Sequence, residues 1–371
     1  MMKIDGSSKN VTPSEAAPKN IARRFVLAVA MFTCGCLVYG SPVLAQQGGN
    51  TLGTTGANFT NAGASGSVFS KIWVGARASA MAGGYSALAD DISALYWNPA
   101  GIARLPGINV GASYTSWFAG TTHNFIGVTV PISERYRLGV ALTTMDYGSL
   151  SFATLQKDAN AGTFNANDLS LGVTIAGALT DRFSFGGTIK YLRSSILDVS
   201  ADGLAFDAGS LYQTDFYNMK ISMDLSNLGS NRSFQGNSLT LLATDASLNS
   251  LQTPITTNIQ ANSFPLPLVF RIGAATDVFQ GKVENQKLNI ALDFSTHSDD
   301  PEQLNLGGEY VWNDMVAIRA GYAFNEDQLG LGAGAGFHYK SEDFSGTVDY
   351  AFNTTKSLGN IHRISISATF Q

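Results

Sequence analysis

Cysteine is almost missing from this chain: two among 371 residues, Cys34 and Cys36, both near the N-terminus. Beyond that point a disulfide framework, a thiolate metal site and a cysteine nucleophile are excluded. Charge is also scarce, at 14% of residues, and the four histidines, His123, His297, His338 and His362, share no metal-ligand spacing. No basic cluster supports nucleic-acid binding. After the N-terminus no apolar run approaches the roughly 20 residues that a membrane helix needs. Any passage through a membrane must therefore use strands, because lipid admits only helices and closed barrels.

The N-terminal 45 residues read as a secretory signal. Lys19, Arg23 and Arg24 precede an apolar run at 25–39, and Val43, Leu44 and Ala45 form a small-residue cleavage site before Gln46. Both cysteines leave with that segment. The remaining chain carries 18 basic and 26 acidic side chains, a net charge of −8. Residues 46–66 are rich in Gly, Thr, Asn, Ser and Ala without apolar periodicity, and read as a flexible leader. Residues 67–107 are small-residue-rich and too irregular for a strand pair. They carry Arg77, the pair Asp90 and Asp91, and Asn98-Pro99, a turn or helix-start signal. Lying just before the first strand, they are expected to fold into a barrel mouth as a hatch or plug.

What the chain has in abundance is alternation. At 329–339, Leu329, Leu331, Ala333, Ala335 and Phe337 share one parity, and Gly330, Gly332, Gly334 and Gly336 share the other. At 316–325 and 361–370 the same pattern recurs, with Ile318, Tyr322, Ile364 and Ile366 opposite Arg319, Gly321, Arg363 and Ser365. From Ile108 onward the pattern predicts fourteen strands: 108–118, 123–132, 137–148, 166–179, 183–196, 203–213, 216–229, 267–279, 286–297, 302–312, 316–325, 329–339, 344–353 and 360–370. A soluble sandwich rarely needs more than about 10 strands. Connections after even-numbered strands are mostly short, and the longest, 149–165 and 230–266, follow odd-numbered ones, which is the outer-membrane signature with short turns periplasmic. The expected fold is an all-β transmembrane antiparallel barrel of about 14 strands over 108–371, closed at a diameter of roughly 28 Å. Such a lumen must hold water, a plug or a ligand. An even strand count places both chain ends on the periplasmic side. Tyr114, Trp117, Phe118, Tyr191, Tyr310, Trp312, Tyr322, Phe324, Tyr350 and Phe352 fall where interfacial girdles belong.

The stretch 75–105, GARASAMAGGYSALADDISALYWNPAGIARL, resembles the opening of PorV/PorQ-type outer-membrane proteins. The runs 309–324 and 349–370, with the glycine-rich strand between them, resemble that family's C-terminal half. The Asn98-Pro99-Ala100 element is similar to the N-terminal hatch of FadL-type fatty-acid transporters. The resemblance implies a hatch-plugged barrel in the outer membrane of a Gram-negative bacterium, in contact with outer-membrane lipid. It further implies either a non-enzymatic role in type IX protein export and surface attachment, with secretion-system proteins or exported cargo as partners, or a FadL-like channel for a hydrophobic small molecule. A structural barrel is the third reading. One departure from the pattern is that Phe370 is penultimate, with Gln371 after it.

Parity turns Lys190, Lys220, Asp224, Arg271, Asp293, Glu309, Arg319, Asp349 and Arg363 toward the lumen. Opposite charges on adjacent strands can pair across the sheet, either neutralising a polar wall or holding the hatch. In the second case Arg77 docks on Asp293, Glu309 or Asp349, and Asp90 and Asp91 dock on Arg271, Arg319 or Arg363. The glycine face of 329–339 is followed by no βαβ unit and reads as a flat wall for close backbone approach, not a nucleotide loop. Asp299, Asp300 and Glu302 read as a solvated charge cluster more readily than a Ca²⁺ site. No serine or threonine has a His and Asp arranged for nucleophilic catalysis, so no catalytic residue, metal or cofactor is expected. The leucine-spaced loop 229–265 is placed to cover a mouth or grip a partner.

Overall fold

The computed structural model describes residues 63–152, 162–243 and 255–371. The expected signal peptide and most of the expected leader lie outside the described residues. Seventeen strands are present: β1 (Ile108–Ser116), β2 (Thr122–Pro131), β3 (Tyr136–Ser151), β4 (Thr163–Ala178), β5 (Phe183–Ile196), β6 (Val199–Gln213), β7 (Lys220–Gly229), the short β8 (Gln235–Gly236), β9 (Thr240–Ala243) and β10 (Ile255–Asn258), then β11 (Val269–Asp277), β12 (Gln286–His297), β13 (Gln303–Trp312), β14 (Val316–Phe324), β15 (Leu329–Lys340), β16 (Phe344–Thr355) and β17 (Ile361–Phe370). β1 to β7 and β11 to β17 close a 14-strand antiparallel barrel. The closing pairs join Ile108 of β1 to Phe370 of β17, and Ser226 of β7 to Val269 of β11. A ring of this kind satisfies backbone donors and acceptors without an open edge, as lipid demands.

Each of the fourteen expected strands has its counterpart, with bounds moved by a few residues. The two faces separate by parity. Ile126, Ile318 and Ile366 are 59%, 62% and 55% exposed, whereas Arg319 and Glu309 are 2% and 1% exposed. A side chain that points outward from every strand and is aliphatic has hydrocarbon as its natural neighbour. Phe370 keeps this outward parity.

Three local expectations are corrected. Leu329 is buried, although its parity predicted the outer face, because the β15–β16 register shifts between Leu329 and Gly332 and turns it inward. A bulge resets the alternation at that point. Trp117 packs against the interior cluster instead of joining an outer girdle. The connection rule also has exceptions. β5 and β6 meet at the two residues Leu197 and Asp198 on the long-loop side, with Leu197 at a left-handed φ of 57°. Residues 278–285 make a longer connection on the short-turn side.

Residues 63–107 lie inside the ring. Short 3-10 helices at Val68–Lys71 and Pro99–Arg104 and α-helical turns at Ala76–Ala80 and Ala94–Trp97 punctuate an irregular path. Its aromatic centre is Trp97, which packs against Trp73, Tyr85 and Tyr96 at centroid distances of 6.4, 6.0 and 5.2 Å and donates its Nε1–H to the Val74 carbonyl at 2.8 Å. The path runs from one rim to the other. Gly66 N–H bonds the Pro265 carbonyl in the longest loop at 3.0 Å, while Arg104 donates to the Thr180 carbonyl in a short turn at 2.9 Å. The first and last barrel strands do end together at the short-turn rim, as an even count requires. The upstream end of the described internal segment, at Gly66, sits at the long-loop rim.

Candidate functional site

The site is the contact between this internal segment and the inner wall. The first half of the segment faces β7 and β11 to β17. Its centre is Arg77, which donates from Nε to Glu309 Oε2 at 2.8 Å and from a terminal nitrogen to Glu309 Oε1 at 2.9 Å. This forked pairing of a planar guanidinium with a carboxylate is the strong form of ion-pair hydrogen bond. Glu309 of β13 also accepts from Arg319 of β14 at 2.6 Å and from Asn289 of β12 at 3.0 Å. Arg319 donates in turn to Asp349 of β16 at 2.6 Å. Glu309 and Arg319 are direct cross-strand partners in the register.

Of the three acceptors expected for Arg77, the structure selects Glu309. The expected partners of Asp90 and Asp91 are corrected. Asp90 pairs with Arg77 itself at 2.6 Å and with Lys220 of β7 at 3.4 Å. Asp91 accepts from Tyr85 Oη at 2.6 Å and from the Ser93 backbone N–H at 2.8 Å. The physical reason is local: Arg77 brings a second face to these two acids within its own segment, and the wall arginines are engaged elsewhere. Arg271 of β11 pairs with Asp224 of β7 at 2.9 Å and lies 5.6 and 5.4 Å from the ring centroids of Tyr96 and Trp97. Asp293 of β12 accepts three hydrogen bonds, from Tyr85 N–H at 2.9 Å, Ser86 N–H at 2.7 Å and Ser86 Oγ at 2.8 Å. Here a buried carboxylate satisfies backbone donors of an irregular segment that has no strand or long helix to supply them. Arg363 of β17 is buried against neutral acceptors, Thr115 Oγ1 at 2.8 Å and Asn353 Oδ1 at 3.5 Å.

Close backbone approach completes this half. A Cβ added at Gly321 would overlap the Met81 backbone, and one at Gly334 would come 2.6 Å from Ala80 Cβ. The expected flat wall on β15 is thus present at Gly332 and Gly334, both against residues 79–80, but Gly330 stands away from the segment.

The second half of the segment faces β2 to β6 and is held almost without charge. The Asn98 side chain caps the following turn by accepting from Ala100 N–H at 3.0 Å, and its amide donates to the Ser210 carbonyl of β6 at 3.1 Å. Pro99 sits at the first position of that turn, where its missing N–H costs nothing. Its carbonyl lies so close to Gly186 of β5 that a Cβ there would overlap it. Arg104 then donates to Ser184 Oγ at 2.9 Å at the rim.

Sequence reasoning missed several participants. Asp207, the partner of Lys190 at 2.8 Å, was not singled out, and Tyr85 and Ser86 had no periodic signal to mark them. Lys71 bridges Asp299 at 3.0 Å and Asp300, so these acids are not a free solvated cluster. Among the described residues no group of three or more potential ligands is placed for a metal ion.

Two cavities between segment and wall, beside Tyr96 and beside Arg77, offer about 30 Å³ each. That is room for about two water molecules in each. A larger cavity of about 470 Å³ lies where the start of the internal segment, Ala64 and Ser65, meets the wall. There β7 continues to Gly229, yet its pairing with β11 stops at Ser226. Asn227, at a left-handed φ of 65°, donates its amide to the Pro267 carbonyl at 3.1 Å in place of strand pairing. Leu228, Pro265, Leu266 and Leu268 line the gap.

Comparison with known proteins agrees with this architecture. A family model described as type IX secretion system protein PorV matches residues 57–236, from just ahead of the internal segment through β7 and β8. The resemblance to PorV-type outer-membrane barrels therefore holds over that stretch. The runs 309–324 and 349–370 lie beyond the match. The crystal structure of a Pseudomonas aeruginosa FadL homologue superposes with a TM-score of 0.52 at 14% identity, covering 80% of this chain and 98% of that one. The Pseudomonas putida toluene transporter TodX gives 0.48 at 13% identity over 74% and 92%. The Ralstonia pickettii toluene transporter TbuX gives 0.47 at 11% over 80% and 98%. No curated protein matches. The fold is that of a FadL-like 14-strand β-barrel.

Proposed function

We propose that this protein is a non-enzymatic outer-membrane component of protein export and surface attachment, of the type IX kind, with residues 67–107 acting as its permanent plug. The observation that carries the reading is the filled lumen. A segment is tied to the wall by Arg77–Glu309, by the Asp293 cradle and by the Asn98 cap, and the two cavities between it and the wall beside Tyr96 and Arg77 are water-sized. Such a barrel offers its mouth and loops to other proteins more readily than its interior to a solute. The match to the PorV family over residues 57–236 supports the same reading. The charge network then serves as the plug's fastening and has no catalytic task.

The test is purification from native outer membranes followed by mass spectrometry of whatever accompanies the barrel. Recovery of secretion subunits or exported cargo is expected. Recovery of the barrel free of any protein, across mild detergents, sinks the reading.

A second reading, a channel for hydrophobic small molecules, is favoured by one observation. The 470 Å³ apolar cavity where β7 and β11 part falls within the ~300–1,000 Å³ range of small-molecule sites. The gap opens at the left-handed Asn227. Bound lipid or hydrocarbon without protein in the same purification favours this alternative.

A further inference from the structure

Arg363 differs from the other inward arginines of β11 to β17. Arg271 meets Asp224 at 2.9 Å, and Arg319 meets Glu309 and Asp349 at 2.6 Å each. Arg363 donates from Nε to Thr115 Oγ1 at 2.8 Å and from a terminal nitrogen to Asn353 Oδ1 at 3.5 Å, and both acceptors are neutral. Among the described residues no carboxylate lies close enough to offset its charge, yet the side chain is 1% exposed. A guanidinium does not shed its proton in a protein, and an unpaired buried charge is costly. The compensation has to come from outside the chain.

Two further polar atoms nearby want a partner. Arg363 of β17 is opposite Thr115 of β1 in the register, and Thr115 is opposite His123 of β2, so the three side chains share one stretch of the inner wall. His123 is also 1% exposed, and its Nε2 has no hydrogen-bond partner among the described residues. The charged group within electrostatic reach of its ring is Arg363. From the internal segment, Tyr96 brings a buried hydroxyl that is likewise without a partner among the described residues and lies within electrostatic reach of Arg363. Arg363, His123 Nε2 and Tyr96 Oη are thus three buried groups able to donate, gathered from two sides of the segment–wall contact.

We infer that Arg363, His123 and Tyr96 hold a small inorganic anion of the halide class, which ties the internal segment to the wall at the seam between β1 and β17. The anion offsets the Arg363 charge and accepts from the Tyr96 hydroxyl and from His123 in its Nε2–H tautomer. Burial of both wall side chains leaves no place for a bulky anion such as a lipid phosphate. Thr115 and His123 stand one residue, and Arg363 two, from the long-loop ends of their strands, which gives an ion a short way in from that rim. The inference is independent of the export reading, and either can fail without the other.

The test uses the whole folded barrel in detergent. Wild type and Arg363→Met are unfolded by heat in sodium chloride, sodium bromide and sodium isethionate at equal ionic strength, with heat-modifiable gel mobility as the readout. Arg363→Met takes a charge away without leaving a buried acid unpaired, so the variant is expected to fold. The wild type should unfold a few degrees higher in either halide than in the bulky isethionate, as a ligand that binds only the folded state requires. Arg363→Met should unfold at one temperature in all three salts. Crystals of the wild type grown in bromide should show an anomalous peak in contact with the Arg363 guanidinium. An equal response of the two proteins to the three salts overturns the inference. So does bromide found only at the protein surface, which would be an adventitious ion only. Should Arg363→Met fail to fold, the position of bromide in the wild type decides alone.

Discussion

The two halves of the internal segment are held by different chemistry, and the contrast shows what each sort of contact can do. Residues 76–86 meet β12 to β17 through buried ion pairs and a carboxylate that gathers backbone donors. Residues 98–104 meet β5 and β6 through an Asn cap, a proline at a helix start and hydrogen bonds to neutral oxygens. Both halves press backbone against glycine. Buried charge fixes one geometry and punishes any loss of a partner, because an unpaired ion in a low-dielectric interior is far costlier than an unpaired amide. The capped turn tolerates change better and holds more weakly.

That contrast ranks the effects of substitution. The largest is expected at Glu309→Ala, which takes from Arg319 and Arg77 the carboxylate they share and leaves them Asp349 and Asp90 alone. A loss of about 3–5 kcal/mol is expected for breaking one such buried pair, read as a lower temperature of heat-modifiable unfolding in detergent. A change no larger than that of an exposed-residue control would show that the network is well hydrated and that the two halves are alike. Next comes Gly321→Val, which drives a side chain into the Met81 backbone. Single-channel recordings should then show a conducting barrel in which the wild type is closed. Arg77→Ala removes the fork to Glu309 from the segment's side but leaves Glu309 paired to Arg319, so a smaller leak to small solutes is expected. Unchanged conductance would remove the role assigned to this fork. In the neutral half, Asn98→Ala forfeits one cap, worth ~1 kcal/mol, and should lower the unfolding temperature slightly with the lumen still closed. The smallest perturbation is a spin label. At Ile318, Ile364 and Phe337 it should collide with lipid-dissolved oxygen, and at Leu329 it should not, despite the shared parity of Leu329 and Phe337.

Leu329 also marks where reading the chain alone stops. Parity placed all fourteen strands and turned nine charges inward, because a barrel wall makes one periodic demand on every residue. Arg271, Asp293, Glu309, Arg319, Asp349 and Arg363 are all buried as that demand requires. A bulge has no periodic signature, so the inward turn of Leu329 was hidden. The segment inside the ring obeys no period at all. Its partners lie far along the chain, Glu309 being 232 residues from Arg77, and which of three acids would receive Arg77 depends on a path that only the folded chain reveals. Asp90 and Asp91 illustrate the same limit, since their partner was a neighbour in their own segment.

The seam between β1 and β17 joins the first strand to the last. The piece of chain lying within the circle precedes that first strand, and its far end is knotted off at the opposite opening. Such an arrangement is a hoop with its own cord already drawn through it. Either the hoop shuts only once the cord is in position, or the free end must afterwards be fed through the finished hole. In either case, emptying the finished hoop would mean undoing a fastening at each of its two openings, at Gly66 on one and at Arg104 on the other.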